Sequence, residues 1–203
     1  FVNMFDGTSS SSSNPNNDTN NNEDKEEGGD FGTIRLLYYP GMDSELVKDA
    51  NVGISAHTDF EVFTLMHQSA PGLQFLPPKT HNTKPLEWID APVRPEEFVV
   101  IIGDALERIT NGTLRATPHR VVQTSHPRWS IIRFNAFAPS TLLQPLTQFV
   151  NDQKPPLYTP VTMKVHMETT MKNLEKGLGA WDETNQKSLT ANYVYVDGKD
   201  LTS

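Results

Sequence analysis

His57 and Asp59 sit in an Ala56-His57-Thr58-Asp59 run, two positions apart. On an extended strand such a pair projects from one face while the middle residue points away, so an imidazole and a carboxylate can grip one ion. A lone His-x-Asp carries little weight in a chain with six histidines. It gains weight from His119, about sixty residues downstream in Thr117-Pro118-His119-Arg120-Val121, and from Arg128-Trp129-Ser130 nine residues after that. Arg128 and Ser130 again share a face. Two imidazoles and one carboxylate occupy one face of an octahedral ion and leave three positions open, which suits an Fe(II) that must accept both a cosubstrate and O₂. A zinc site is more often tetrahedral, with fewer open positions. A chelating 2-oxo acid fills two of the open positions, and its far carboxylate then needs a fixed cation and a hydroxyl. Arg128 and Ser130 supply them, because a guanidinium binds carboxylate in bidentate geometry.

The elements that must carry these residues read as β-strands. Thr33 begins an abrupt change of texture, with Ile34 to Tyr39 extended and stopped by Pro40-Gly41. Further short strands are predicted at Gly53 to His57, Val62 to His67, Leu73 to Leu76, Leu86 to Asp90, Phe98 to Gly103, His119 to Thr124 and Trp129 to Phe137. Pro and Gly between them favour a sandwich or jelly roll over βαβ units. One short helix is expected over Asp104 to Ile109, with Asp104 as its N-cap and Asn111-Gly112 as its stop. A longer one is expected near the end, capped by Thr159, with Pro160 in its first turn, and Val161, Val165, Met167, Met171 and Leu174 inward before Gly177.

Residues 1–30 have another character. Ser9 to Ser13, an Asn-rich stretch and the acids from Glu23 to Asp30 show no apolar periodicity, so this segment reads as disordered. It carries seven acidic residues against Lys25, hence six of the eight net negative charges. The remainder is nearly neutral, and without a basic stripe nucleic acid is not an expected partner. The expected organisation is a disordered tail (1–30), a jelly-roll domain (31–150) and a C-terminal helical extension packed on it (151–203). There is no cysteine, which removes disulfides, thiolate nucleophiles and thiolate metal ligands. No apolar run approaches the roughly 20 residues of a membrane helix, and residues 1–30 hold no basic region followed by an apolar stretch. The expectation is a soluble, cytoplasmic protein with no membrane partner; oligomeric state is not legible.

Over residues 33–138 the chain resembles the isopenicillin N synthase-like branch of the 2-oxoglutarate and Fe(II)-dependent oxygenases. The resemblance rests on Leu36-Leu37-Tyr38-Tyr39-Pro40, Ala56-His57-Thr58-Asp59, Phe63-Thr64-Leu65, Pro71-Gly72-Leu73-Gln74 and Glu87-Trp88. It continues in Gly103-Asp104, Thr110-Asn111-Gly112, Thr117-Pro118-His119-Arg120-Val121 and Arg128-Trp129-Ser130. It implies a mainly β, double-stranded β-helix (cupin-like jelly roll) with iron on His57, Asp59 and His119. It also implies that Tyr39, Arg128 and Ser130 bind the distal carboxylate of 2-oxoglutarate. The implied reaction is hydroxylation, desaturation or ring closure of a small molecule, with release of succinate and CO₂. Leu37 stands where many plant members have Asn, and the family's long N-terminal region is replaced by thirty largely low-complexity residues. The expectation is a substrate pocket short of that part.

Two rival readings follow from the same residues. One is an iron oxidase of the same branch that draws electrons from its substrate or ascorbate; succinate release separates it from the first. The other is a non-catalytic jelly-roll remnant or binding protein, against which the retention of all three ligands argues. His67, His81, His126 and His166 have no ligand partner at metal spacing and read as surface or core residues.

Overall fold

The computed structural model describes residues 31–43, 53–77, 87–175, 181–182 and 187–188. The predicted tail (1–30), the Gly177 helix stop and His81 lie outside the described residues.

Eight strands build two four-stranded antiparallel sheets. The larger has the order β1 (Thr33–Tyr39), β8 (Arg128–Asn135), β3 (Phe63–Gln68), β6 (Val99–Ile102); the smaller has the order β2 (Ile54–His57), β7 (His119–Val121), β4 (Leu73–Phe75), β5 (Ile89–Asp90). This is the double-stranded β-helix that strand spacing and resemblance predict. Period-two alternation decides which side chains go inward: Thr64, Met66 and Gln68 of β3 are buried, as are Arg128, Ser130 and Ile132 of β8. The core between the sheets joins Met66, Ile101 and Ile132 of the larger sheet to Leu73 and Val121 of the smaller.

The other face of the larger sheet is also apolar. Ile34, Leu36 and Tyr38 on β1, Trp129 and Ile131 on β8, and Val100 on β6 are exposed, and His67 lies among them, 5.9 Å from the Trp129 ring.

Helix α1 spans Asp104–Ile109, the range read from the sequence. Asn111, at φ +49°, and Gly112, at +70°, turn the chain out of it through left-handed backbone. After β9 (Leu142–Leu143), Val161 and Thr162 pair with that strand as β10 (Val161–Thr162) rather than opening a helix, and α2 runs over Met163–Glu175. The cap is therefore Thr162, whose hydroxyl accepts the Val165 N–H at 3.3 Å, and not Thr159. The helix also presents a different face from the predicted one: Met163, His166, Thr170 and Asn173 are buried, while Val165 and Met171 are exposed. Met163 joins Val62, Ala105, Ala136 and Leu143 in a second apolar cluster beneath α1. A hairpin of β11 (Trp181–Asp182) and β12 (Lys187–Ser188) completes the described elements.

Candidate metal centre

His57 and His119 are register partners on β2 and β7, with ring centroids 4.3 Å apart. The β2–β7 register shifts between Ile54 and His57, an irregularity of the kind that re-aims a side chain at a strand end. Each ring is fixed by the same device: His57 Nδ1 donates to the Ser55 carbonyl at 2.7 Å and His119 Nδ1 to the Thr117 carbonyl at 2.9 Å. Both Nε2 lone pairs are thereby left for a ligand.

Asp59 does not lie on the strand. β2 ends at His57, and the carboxylate arrives from the loop that follows. That loop is pinned to the start of α1, where the Asp104 N–H donates to the Asp59 carbonyl at 2.8 Å and the Ala105 N–H to the Glu61 carbonyl at 3.1 Å. Asp104 itself is not the N-cap. Gly103 takes that place, and the fully buried Asp104 carboxylate accepts the Thr58 hydroxyl at 3.2 Å. The shared face of a His-x-Asp strand is thus replaced by a turn, yet the two side chains still converge.

Asp59 Oδ1 stands 3.7 Å from His57 Nε2 and 3.6 Å from His119 Nε2. Both separations are too long for hydrogen bonds, so three donor atoms within 4.8 Å of one another surround a common point without bonding each other. Among the described residues this is the group able to hold a metal ion. Its donor chemistry, two neutral imidazoles and one carboxylate, fits Fe(II). Burial and the neighbouring His119 pull the His57 pKa down to about 4, so at neutral pH its ring is the uncharged form a metal requires. Asp59 and His119 are buried, whereas the His57 side chain is 25% exposed, which leaves that side open.

Tyr39, Arg128 and Ser130 are brought together on the inner face of the larger sheet. Tyr39 is the register partner of Arg128, and Ser130 lies between Leu37 and Gln68 on its two neighbouring strands. The Arg128 guanidinium stands 4.9 Å from the Tyr39 ring centroid. Its Nε donates to the Ala70 carbonyl at 3.2 Å and its Nη2 to Gln68 Oε1 at 3.1 Å. Nη1, the Ser130 hydroxyl and the Tyr39 hydroxyl are buried and make no close hydrogen bond within the protein, although the Tyr39 and Arg128 side chains interact with each other. Three such atoms around one guanidinium are costly unless an anion with several acceptor oxygens satisfies them, and a carboxylate does so. Burial raises the Tyr39 pKa against the opposing pull of Arg128, so the phenol stays protonated and remains a donor.

Three residues without a role in the sequence reading belong to this region. Thr64 donates its hydroxyl to Asp59 Oδ2 at 2.5 Å. Gln68 braces Arg128 and in turn donates to the Pro92 carbonyl at 3.3 Å. Glu61, buried beside Asp59, has its pKa pushed up to about 7, first by burial and then by the Asp59 charge. The signal for Thr64 and Gln68 was available: polar residues at inward positions of a strand need partners. Of the other histidines, His126 bonds the Ser125 hydroxyl at the surface and His166 lies in the interior.

Residues 31–136 match the sequence pattern of the 2OG-Fe(II) oxygenase superfamily. The chain is 34% identical over 139 residues to leucoanthocyanidin dioxygenase 1 of Oryza sativa subsp. japonica, covering 66% of this chain and 34% of that protein. It is 32% identical over 140 residues to the 2-oxoglutarate-Fe(II) type oxidoreductase hxnY of Emericella nidulans, covering 68% and 38%. Among solved structures it is similar to a full-length Neurospora crassa protein crystallised in complex with alpha-KG and thymine. The TM-score there is 0.62 at 27% identity, covering 70% of this chain and 44% of that one. The chain spans about a third to two fifths of the length of the curated relatives it matches.

Proposed function

The chain belongs to the 2OG-Fe(II) oxygenase superfamily, and from that membership we propose that it is a 2-oxoglutarate- and Fe(II)-dependent dioxygenase acting on a small-molecule metabolite. Its products would be succinate, CO₂ and a hydroxylated, desaturated or ring-closed metabolite. His57, Asp59 and His119 hold the iron, and Arg128, Ser130 and Tyr39 bind the distal carboxylate of 2-oxoglutarate. The Tyr39-Pro40, His57-x-Asp59 and Arg128-x-Ser130 motifs support its place in the isopenicillin N synthase-like branch. The reading takes residues 31–150 as the oxygenase jelly roll, the segment from 151 as an extension packed on it, and the cytoplasm as its place of action. The described residues contain no helix long and apolar enough to cross a membrane.

One pairing carries the proposal: three converging ligand atoms from two strands and a loop, with three buried donor groups that make no close hydrogen bond on the facing sheet.

Iron, when bound, supplies the redox chemistry by which O₂ and 2-oxoglutarate oxidise a C–H bond. The chain supplies position and polarity. The Ser55 and Thr117 carbonyls keep both imidazoles in the tautomer whose Nε2 faces the ion. Arg128, braced by Gln68 and Ala70, offers Nη1 to the carboxylate, with the Ser130 and Tyr39 hydroxyls as neutral donors. Leu37, Ile54, Phe75 and Phe134 pack against the apolar core between the sheets and help exclude water there.

The deciding experiment is anaerobic addition of Fe(II) and then 2-oxoglutarate. The expected result is a visible metal-to-ligand charge-transfer band, followed by succinate release when O₂ and ascorbate are admitted. A folded, iron-loaded protein with no band would rule out 2-oxoglutarate and leave the oxidase and the non-catalytic jelly roll.

A further inference from the structure

The two oxygens of Asp59 have different partners. Oδ1 faces His57 Nε2 and His119 Nε2, while Oδ2 accepts the hydroxyl of Thr64 at 2.5 Å. Thr64 lies on β3, a central strand of the larger sheet, and its side chain is fully buried. Because Asp59 comes from a loop, the sheet does not orient its carboxylate. The backbone bonds to α1 fix where the residue sits and leave the rotation of its carboxyl group free.

We propose that Thr64 is a positioning residue that holds Asp59 to the metal through one oxygen and so keeps three metal positions open. The inference rests on the metal reading above. A carboxylate can bind an ion through one oxygen or through both. With both, Asp59 and the two histidines take four of the six octahedral positions, and a chelating 2-oxo acid takes the remaining two. No position is then left for a third ligand, and the chelate itself must compete with Oδ2. A hydroxyl donating to Oδ2 draws charge from that oxygen and holds the carboxyl group in one orientation, which disfavours the second mode. The hydroxyl is thus the functional part of Thr64, because a valine methyl would pack into the same space.

The test compares wild type with Thr64→Val, Thr64→Ala and Thr64→Ser, using anaerobic Fe(II), then 2-oxoglutarate, and difference infrared spectra of iron-loaded against metal-free protein. Val and Ala are both read so that a packing defect in one does not decide the result. The expected outcome for both is a roughly tenfold rise in the 2-oxoglutarate concentration that half-saturates the iron-loaded protein. The separation between the asymmetric and symmetric carboxylate stretches should also narrow, as for two-oxygen ligation. Thr64→Ser should return both to within about threefold and to the wild-type spectrum. The inference is overturned if the Val and Ala variants match wild type in both measurements, or if Ser behaves like Val. A wild-type chain that takes up no Fe(II) overturns the metal reading and this inference with it. If iron binds and 2-oxoglutarate does not, the infrared comparison alone decides.

Discussion

His166 Nε2 donates a 2.7 Å hydrogen bond to the carbonyl of Phe60, the residue that follows Asp59. The C-terminal helix is therefore tied to the loop that carries the carboxylate ligand. His166 is fully buried, and burial with the nearby Arg108 charge lowers its pKa to about 4. The carbonyl partner opposes that shift without reversing it.

The consequence is a pH dependence of stability. Below the ordinary histidine pKa of about 6.5 the unfolded chain takes up a proton at this residue, and the folded chain does not until about pH 4. The unfolded state then holds more protons, so stability drops as the pH is lowered across that window, by roughly 1.4 kcal/mol per unit from this group. His166→Gln keeps a donor toward Phe60 and removes the titration. Urea unfolding of metal-free protein at pH 6.5 and 4.5 should show wild type losing about 2 kcal/mol more than the variant. Equal losses would mean that His166 is not neutral in the fold.

Gly103 and Gly112 separate two uses of glycine at the ends of α1. Gly103 has ordinary φ, but a Cβ there would strike the backbone carbonyl of Glu61 and lie 3.1 Å from that of Asp59. Gly112 has φ +70°, and a Cβ there would make only ordinary van der Waals contact, its nearest neighbour being 3.5 Å away. Gly103→Ala should cost about 3 kcal/mol and weaken Fe(II) binding, because the ligand loop must move. Gly112→Ala should cost about 1 kcal/mol and leave Fe(II) affinity unchanged. Thermal unfolding with and without Fe(II) checks both.

Asn111, after α1, clamps a segment distant in sequence. Its Nδ2 donates to the carbonyls of Phe149 and Pro155, each at 3.1 Å, and its Oδ1 accepts the Leu157 N–H at 2.7 Å. Asn111→Ala removes all three bonds and leaves a Cβ in left-handed backbone, for an expected loss of about 3–4 kcal/mol. Asn111→Gly loses the bonds but not the conformation, and should be the milder by about 1 kcal/mol in denaturant unfolding. Equal costs would show that backbone strain is absent.

How legible the site was depends on what the chain does locally. Arg128 and Ser130 could be read from spacing because β8 is a regular strand, and period-two alternation survives any tertiary context. His57 and Asp59 were paired for a reason that does not hold, since the strand ends between them; their convergence comes from hydrogen bonds to α1 that no local pattern encodes. Helix α2 shows the limit of counting apolar residues. Its predicted inward stripe included Val165 and Met171, yet His166, Thr170 and Asn173 are inside. A polar side chain that finds a buried partner, as His166 does at Phe60, is buried with it, and that partner lies 106 residues away. Tyr39 was legible only through resemblance, because an aromatic residue on a strand is more often packing.

Arg128 offers the sharpest separation of metal from cosubstrate. Its Nε and Nη2 bond Ala70 and Gln68 while Nη1 makes no close hydrogen bond, and the planar fork is held by two bonds that a lysine cannot reproduce. Arg128→Lys keeps the charge and loses that geometry. Its 2-oxoglutarate affinity should fall about 30- to 100-fold, the scale for a buried carboxylate deprived of a charged hydrogen-bond partner, while Fe(II) affinity stays at the wild-type value. Gln68→Leu leaves the guanidinium in place but frees Nη2, and should lower 2-oxoglutarate affinity about tenfold, again without touching iron. Paired anaerobic titrations of Fe(II) and 2-oxoglutarate distinguish these results. A parallel loss of iron binding in either variant would mean that the guanidinium supports the fold around the metal rather than the cosubstrate. Unchanged 2-oxoglutarate binding in Arg128→Lys would remove Arg128 from the site.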